Sequence, residues 1–120
     1  MSKLWKRLTS EEFQQIFDKG CFVSGKSMVL CISANQNVPS VGFTLKKSKR
    51  TIVVRNYLKR KLKEAFLMVQ FFLPVHWHIV LIGNDSIHSM TIEQISEEIV
   101  FLSDVYKRKF LEYTIQTASS

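Results

Sequence analysis

Between Lys46 and Lys63 the sequence carries nine cations, Lys46, Lys47, Lys49, Arg50, Arg55, Lys59, Arg60, Lys61 and Lys63, and meets no carboxylate before Glu64. The other eight basic residues share the rest of the chain with all ten acidic ones, so the net charge of +7 is local rather than diffuse. A ridge of this kind neutralises phosphates and gains from the counterions they release. A surface built only for solubility mixes its signs, so the pattern favours a nucleic-acid role over a solvated face. Candidates for covalent chemistry are poorer. His76 and His78 alternate around Trp77 and would share a strand face, yet no third ligand stands at a spacing suited to zinc. Cys21 and Cys31 lack the CxxC spacing, and Glu11-Glu12 and Glu97-Glu98 are adjacent pairs that point in different directions. There is no Gly-rich phosphate loop and no GxSxG elbow. The chain is expected to hold no catalytic group and no metal of its own.

The basic run must be presented by a helix. Val54, Leu58, Leu62, Ala65 and Val69 form one apolar stripe of a 3.6-residue period. Asn56, Lys59, Arg60 and Lys63 project from roughly the opposite side, with Arg55 on the boundary. Thr51 can cap this helix, although Ile52-Val53-Val54 is a poor opening turn by propensity and needs packing to hold it. Pro74 closes the region. Upstream, Thr9-Ser10-Glu11-Glu12 has capping-box spacing and Gly20 can stop the helix it starts. Phe13, Ile16 and Phe17 make its apolar edge. The two phenylalanines are either core or the lining of a groove where bases stack, and spacing alone leaves both open.

Cys21 to Ser33 alternates around Gly25, with Met28, Leu30 and Ile32 on one face and Ser27, Val29 and Cys31 on the other. Ala34 to Ser40 is loop chemistry, and Val41 to Leu45 is a strand that delivers the chain into the basic segment. Trp77 to Gly83 reads as a short apolar strand followed by a turn. Thr91-Ile92-Glu93-Gln94 opens a last helix with the stripe Ile92, Ile95, Ile99, Leu102 and Tyr106. The expected fold is α+β, a small sheet with packed helices in the order α-β-β-β-α-β-α, in one RNA-binding domain over residues 1–120. Frayed ends are expected at about 1–6 and 114–120. The strands flanking the basic helix could pair in parallel as a βαβ unit. At 120 residues and 46% hydrophobic, the chain can bury a core without disulfides or metals. Two cysteines fit reduced thiols in a cytoplasm, and no apolar run reaches signal-peptide or bilayer length.

The central stretch resembles the protein component of bacterial ribonuclease P. The resemblance rests on Val41-Gly42-Phe43-Thr44-Leu45-Lys46-Lys47, then Val53-Val54-Arg55-Asn56-Tyr57-Leu58-Lys59-Arg60, then Lys63-Glu64-Ala65-Phe66. Arg7-Leu8 followed by Phe13, Phe17 and Gly20 resembles the family's opening helix. The chain departs from the family motif at Lys46, Ser48, Arg50, Ile52 and Tyr57, the last standing where the family has a second arginine after Asn. The resemblance implies a ribosomal-protein-type α+β fold with a left-handed βαβ crossover. It implies that an RNA subunit with its Mg²⁺ removes the 5′ leader of precursor tRNA, while the protein binds no cofactor. Lys46, Lys47, Arg50, Arg55, Asn56, Lys59, Arg60 and Lys63 would meet RNA. Phe13 and Phe17, with Val29 and Cys31, would hold the leader, which favours at least one exposed ring. No membrane and no small-molecule substrate is expected. The alternatives are a structural RNA-binding protein of the ribosome type and, ranked last, a membrane-surface protein using the amphipathic helix.

Overall fold

The computed structural model describes residues 4–34, 36–46 and 50–119, with side chains described as far as Lys109. In chain order it holds β1 (Lys6–Arg7), α1 (Ser10–Lys19), β2 (Cys21–Ser24), β3 (Met28–Ser33), β4 (Ser40–Leu45), α2 (Ile52–Val69), β5 (His78–Gly83) and α3 (Ile92–Ser119). Turns of 3₁₀ helix lie at Gln70–Phe72 and Asp85–Ser89. The α+β class and the seven expected elements are present; the two-residue strand β1 is additional.

One five-stranded sheet runs in the order β1-β4-β5-β3-β2. β4 and β5 are parallel, Ser40 opposite His78 through Leu45 opposite Gly83, so β4–α2–β5 is the expected strand–helix–strand unit. β3 runs antiparallel to both β5 and β2. Central β5 is covered on both faces, and Ile79, Val80 and Leu81 are fully buried, which is why its sequence is a continuous apolar run.

The two sheet faces are covered unequally. Met28, Leu30, Ile32, Val41, Leu45, Ile79 and Leu81 pack with α2 and α3 in one large core. From α2 this core takes Leu58, Leu62, Ala65 and Val69, as the stripe predicts, and also Phe66, which widens it. Val54 and Ile92, the first residues of the two predicted stripes, are only half-buried. The opposite face carries α1 alone, over a small cluster of Leu8, Ile16, Cys31 and Val80.

Helix ends follow the predicted chemistry. The Thr9 N–H donates to Glu12 Oε1 at 2.8 Å and the Glu12 N–H to Thr9 Oγ1 at 3.2 Å, while Gly20 ends α1. Thr91 and Gln94 repeat the reciprocal pair at 2.9 and 3.1 Å. Thr51 Oγ1 accepts from the Val54 N–H at 3.3 Å. α2 stops at Val69, ahead of Pro74, because the chain tightens into a 3₁₀ turn whose Gln70 is buried. Gln70 in turn fixes the amino-terminal segment. Its Oε1 accepts from the Leu4 N–H at 3.2 Å and its backbone oxygen from Trp5 Nε1 at 3.1 Å. Trp5 is buried and the Lys6 N–H donates to Pro39 O at 2.9 Å, so the segment is tied down at these residues. α3 is helix as far as Ser119. No helix among the described residues is long and apolar enough to cross a membrane.

Candidate nucleic-acid interface

Burying its apolar stripe turns α2 so that its cations divide between two flanks and an outer ridge. Lys59, Arg60 and Lys63 line a cleft of about 570 Å³ at the edge of the sheet, where β1 and β4 approach α2. Lys6 and Arg7 of β1 add two more cations to its rim, and no carboxylate among the described residues lines it. Its floor is aromatic, made by Trp5, Phe43, Phe66 and the ring of Phe13. Phe66 meets Trp5 and Phe43 edge to face, at 5.2 and 5.8 Å between centroids, so the floor is rigid. Arg55 is half-buried; Asn56, Arg60 and Lys63 are exposed. Among the described residues no ion pair engages Arg55, Lys59 or Arg60, so these charges are left for an outside partner.

Other basic positions differ. Lys46 is exposed at the end of β4, and Lys47 lies outside the described residues. Arg50 pairs with Asp85, Nε to Oδ1 at 3.3 Å, so part of its charge is already met. Lys61 turns to the opposite flank, where its ammonium donates to Ile87 O at 2.9 Å and His88 O at 3.1 Å.

The α1 face supplies a second kind of surface. Gly42, Val80, Cys31 and Phe22 stand in one row across β4, β5, β3 and β2. A Cβ on Gly42 would collide with the tip of the Phe13 ring, so the absence of a side chain there makes room for that tip against the strand. Phe13 stacks on Phe17, 6.2 Å between centroids and 28° between planes, and Phe17 approaches Phe22 at 6.3 Å. The three rings form a line from the cleft to the outer strand, with Phe17 40% and Phe22 49% exposed. Phe13 packs against the small core, and Phe17 is open to solvent.

Cys31 is a correction to the predicted groove. It is fully buried beneath α1, burial alone pushes its thiol up to about 12, and it cannot meet a ligand. Val29 sits one row further along the same face with Ser24, Ile82 and Thr44; Val29, Ile82 and Thr44 are half-buried. The accessible floor beside α1 is this row. Phe22, Ile82, Thr44, Lys6 and Arg7 are the positions that sequence reasoning missed. Strand alternation around buried Val23 marks Phe22 as outward, but Ile82 and Thr44 needed the register, and Lys6 and Arg7 needed β1.

The histidines do not make a metal pair. His76 precedes β5 and is exposed, whereas His78 is buried with Nε2 3.6 Å from Glu12 Oε2. The Thr9 N–H, then the Thr9 hydroxyl and His78, hold the Glu12 carboxyl below its usual range against a smaller opposing effect of burial. Among the described residues no three His, Cys, Asp or Glu side chains come together as a metal site.

An α+β sheet with a cationic cleft at one edge and a row of open aromatic rings on one face has the general character of an RNA-binding domain. The comparisons make the class specific. The family model "Ribonuclease P" matches residues 1–107, and the chain belongs to that family. The ribonuclease P protein component of Brevibacillus brevis is 31% identical over 94 residues, covering 76% of this chain and 74% of that one. The component from Carboxydothermus hydrogenoformans is 30% identical over 103 residues, covering 82% and 88%. The solved ribonuclease P protein of Thermotoga maritima superposes with a TM-score of 0.71 at 22% identity, over 82% of this chain and 94% of that one. That of Staphylococcus aureus gives 0.69 at 24%, over 84% and 94%. These two establish the shared fold. The family provides the protein component of a ribonucleoprotein endoribonuclease that matures tRNA 5′ ends, in partnership with the ribonuclease P RNA.

Proposed function

We propose that this chain acts in the cytoplasm by binding the ribonuclease P RNA through α2 and holding the 5′ leader of precursor tRNA along α1. The RNA, with its Mg²⁺, supplies the hydrolysis; the residues of this chain bind and orient. The single observation that carries this reading is the union of two surfaces at Phe13. Its ring both floors the cationic cleft and begins the aromatic row. A strand leaving the phosphate-binding flank would pass directly onto stacking surfaces.

Lys59, Arg60 and Lys63, joined by Lys6 and Arg7, neutralise phosphates at the cleft. Arg55 extends the cationic surface, with Asn56 hydrogen-bonding RNA or helping to place Arg55. Lys46, Lys47 and the remaining charge of Arg50 lengthen it toward β4. Phe17 and Phe22 offer open ring faces, Phe13 anchors the row, and Val29, Ile82 and Thr44 form the floor beside it.

Reconstitution with the ribonuclease P RNA and a precursor tRNA at low Mg²⁺ tests the reading. The protein is expected to raise the cleavage rate, with the gain shrinking as the leader is shortened. No gain on adding folded protein overturns it and leaves a ribosome-type structural role.

A further inference from the structure

Tyr57 stands on the flank of α2 opposite the cleft and belongs to neither core, yet it is held in place. Its ring is 50% exposed. The His88 ring meets it edge to face, 6.3 Å between centroids and 66° between planes. One helical turn on, the Lys61 ammonium lies 5.8 Å from the Tyr57 centroid while its two hydrogen bonds to the Ile87 and His88 carbonyls fix it there. The 3₁₀ turn that carries His88 is itself secured at its start. Asp85 pairs with Arg50, and Asn84 Oδ1 accepts from the Ser86 N–H at 2.9 Å. An exposed aromatic ring on a basic helix is thus pinned at low entropic cost by Lys61 of its own helix and His88 of the 3₁₀ turn beside it. That is the requirement for a preorganised contact rather than for core packing.

We propose that Tyr57, braced by His88 and Lys61, is a stacking platform for one unpaired base of the RNA partner. The platform is separate from the α1 aromatic row and lies across α2 from the cleft. Every base presents a π-face, and the half-exposed Tyr57 ring offers one to meet it. The inference rests on the RNA-binding reading above, and it gives the α2 surface a base contact in addition to phosphate contacts. It also gives a role to two departures from the family motif noted in the sequence, since Arg50 and Tyr57 both engage the same 3₁₀ turn.

The test measures binding of the full-length chain to the ribonuclease P RNA over a salt series, for wild type, Tyr57→Phe, Tyr57→Leu, Tyr57→Ala and Tyr57→Arg. Emission of the buried Trp5 and Trp77 verifies folding of each variant. Stacking predicts that Phe binds like wild type, that Ala and Leu bind about tenfold more weakly, and that all three keep the wild-type salt slope. Tyr57→Arg is expected to raise the slope by about one unit through an added phosphate contact. Leu binding as well as Tyr, or Ala without effect, overturns the platform while wild-type binding keeps the RNA reading intact. Wild type that shows no salt-dependent binding overturns the reading itself and the platform with it.

Discussion

The two faces of the sheet solve different problems with similar residues. On one face α2 and α3 bury Leu58, Leu62, Phe66, Ile95, Ile99 and Leu102 against the Met, Leu, Ile and Val of four strands. On the other, Ile16 of α1 and Leu8 just ahead of it are buried over Cys31 and Val80, and Phe17 and Phe22 stay open. All three helices are short-range decisions: each begins at a threonine cap and follows an apolar edge. What differs is how much of the sheet each covers. The thick face fixes the fold and, by anchoring α2 from beneath, points its cations outward. The thin face leaves apolar surface in water, which costs stability and makes sense when a ligand covers it.

Breaking the thick face should have the largest effect. Leu62→Ala leaves a cavity beside Gly83 and Ile87 and is expected to cost about 2–5 kcal/mol, measured by chemical denaturation. The same variant, kept under conditions where it is folded, should retain the wild-type salt slope for RNA, since no cation is lost. Breaking the thin face should do the reverse. Phe17→Ala is expected to leave the unfolding midpoint nearly unchanged and to weaken precursor tRNA with a leader by about 1–3 kcal/mol relative to mature tRNA. Equal losses for the two tRNAs would remove the leader from the aromatic row.

A smaller effect sharpens how α1 is held. The Glu12 carboxyl is depressed in the folded state, so its contribution is present above the ordinary carboxylate range and is lost as pH falls through the folded value. Glu12→Gln should therefore flatten the acid limb of the stability–pH curve while changing stability little at low pH. An unaltered acid limb would mean that the Thr9–Glu12 pair carries no pH-dependent stability.

Much of this contrast was written locally. Thr9-Ser10-Glu11-Glu12 and Thr91-Ile92-Glu93-Gln94 specify their helix starts through groups three residues apart, and both boxes form. The stripe from Leu58 to Val69 names its own buried face. Alternation sorted Met28, Leu30 and Ile32 from Val29 and Cys31 correctly. What alternation lacks is position along the sheet. Cys31 and Val29 share a face, but α1 covers the row of Cys31 and leaves the row of Val29 half open, and only strand register decides that.

Long-range partners hid the rest. Lys6-Arg7 is charged and two residues long, with no strand pattern of its own; it becomes β1 because β4 offers a free edge and Gln70 pins Trp5. The cleft follows from that docking, so its two extra cations were invisible in sequence. His76 and His78 alternate as on a strand, yet β5 starts at His78 and leaves His76 outside it.

The account stands or falls on whether the cationic rim of the cleft grips phosphate. The most direct measurement is the salt dependence of binding to the ribonuclease P RNA for wild type and for the triple variant Lys59→Ala, Arg60→Ala, Lys63→Ala, with thermal unfolding run alongside. The expected result is a log–log slope shallower by about 2–3 units, with the unfolding midpoint kept, because each lost phosphate contact releases fewer counterions. A folded triple variant that binds with the wild-type slope would contradict it.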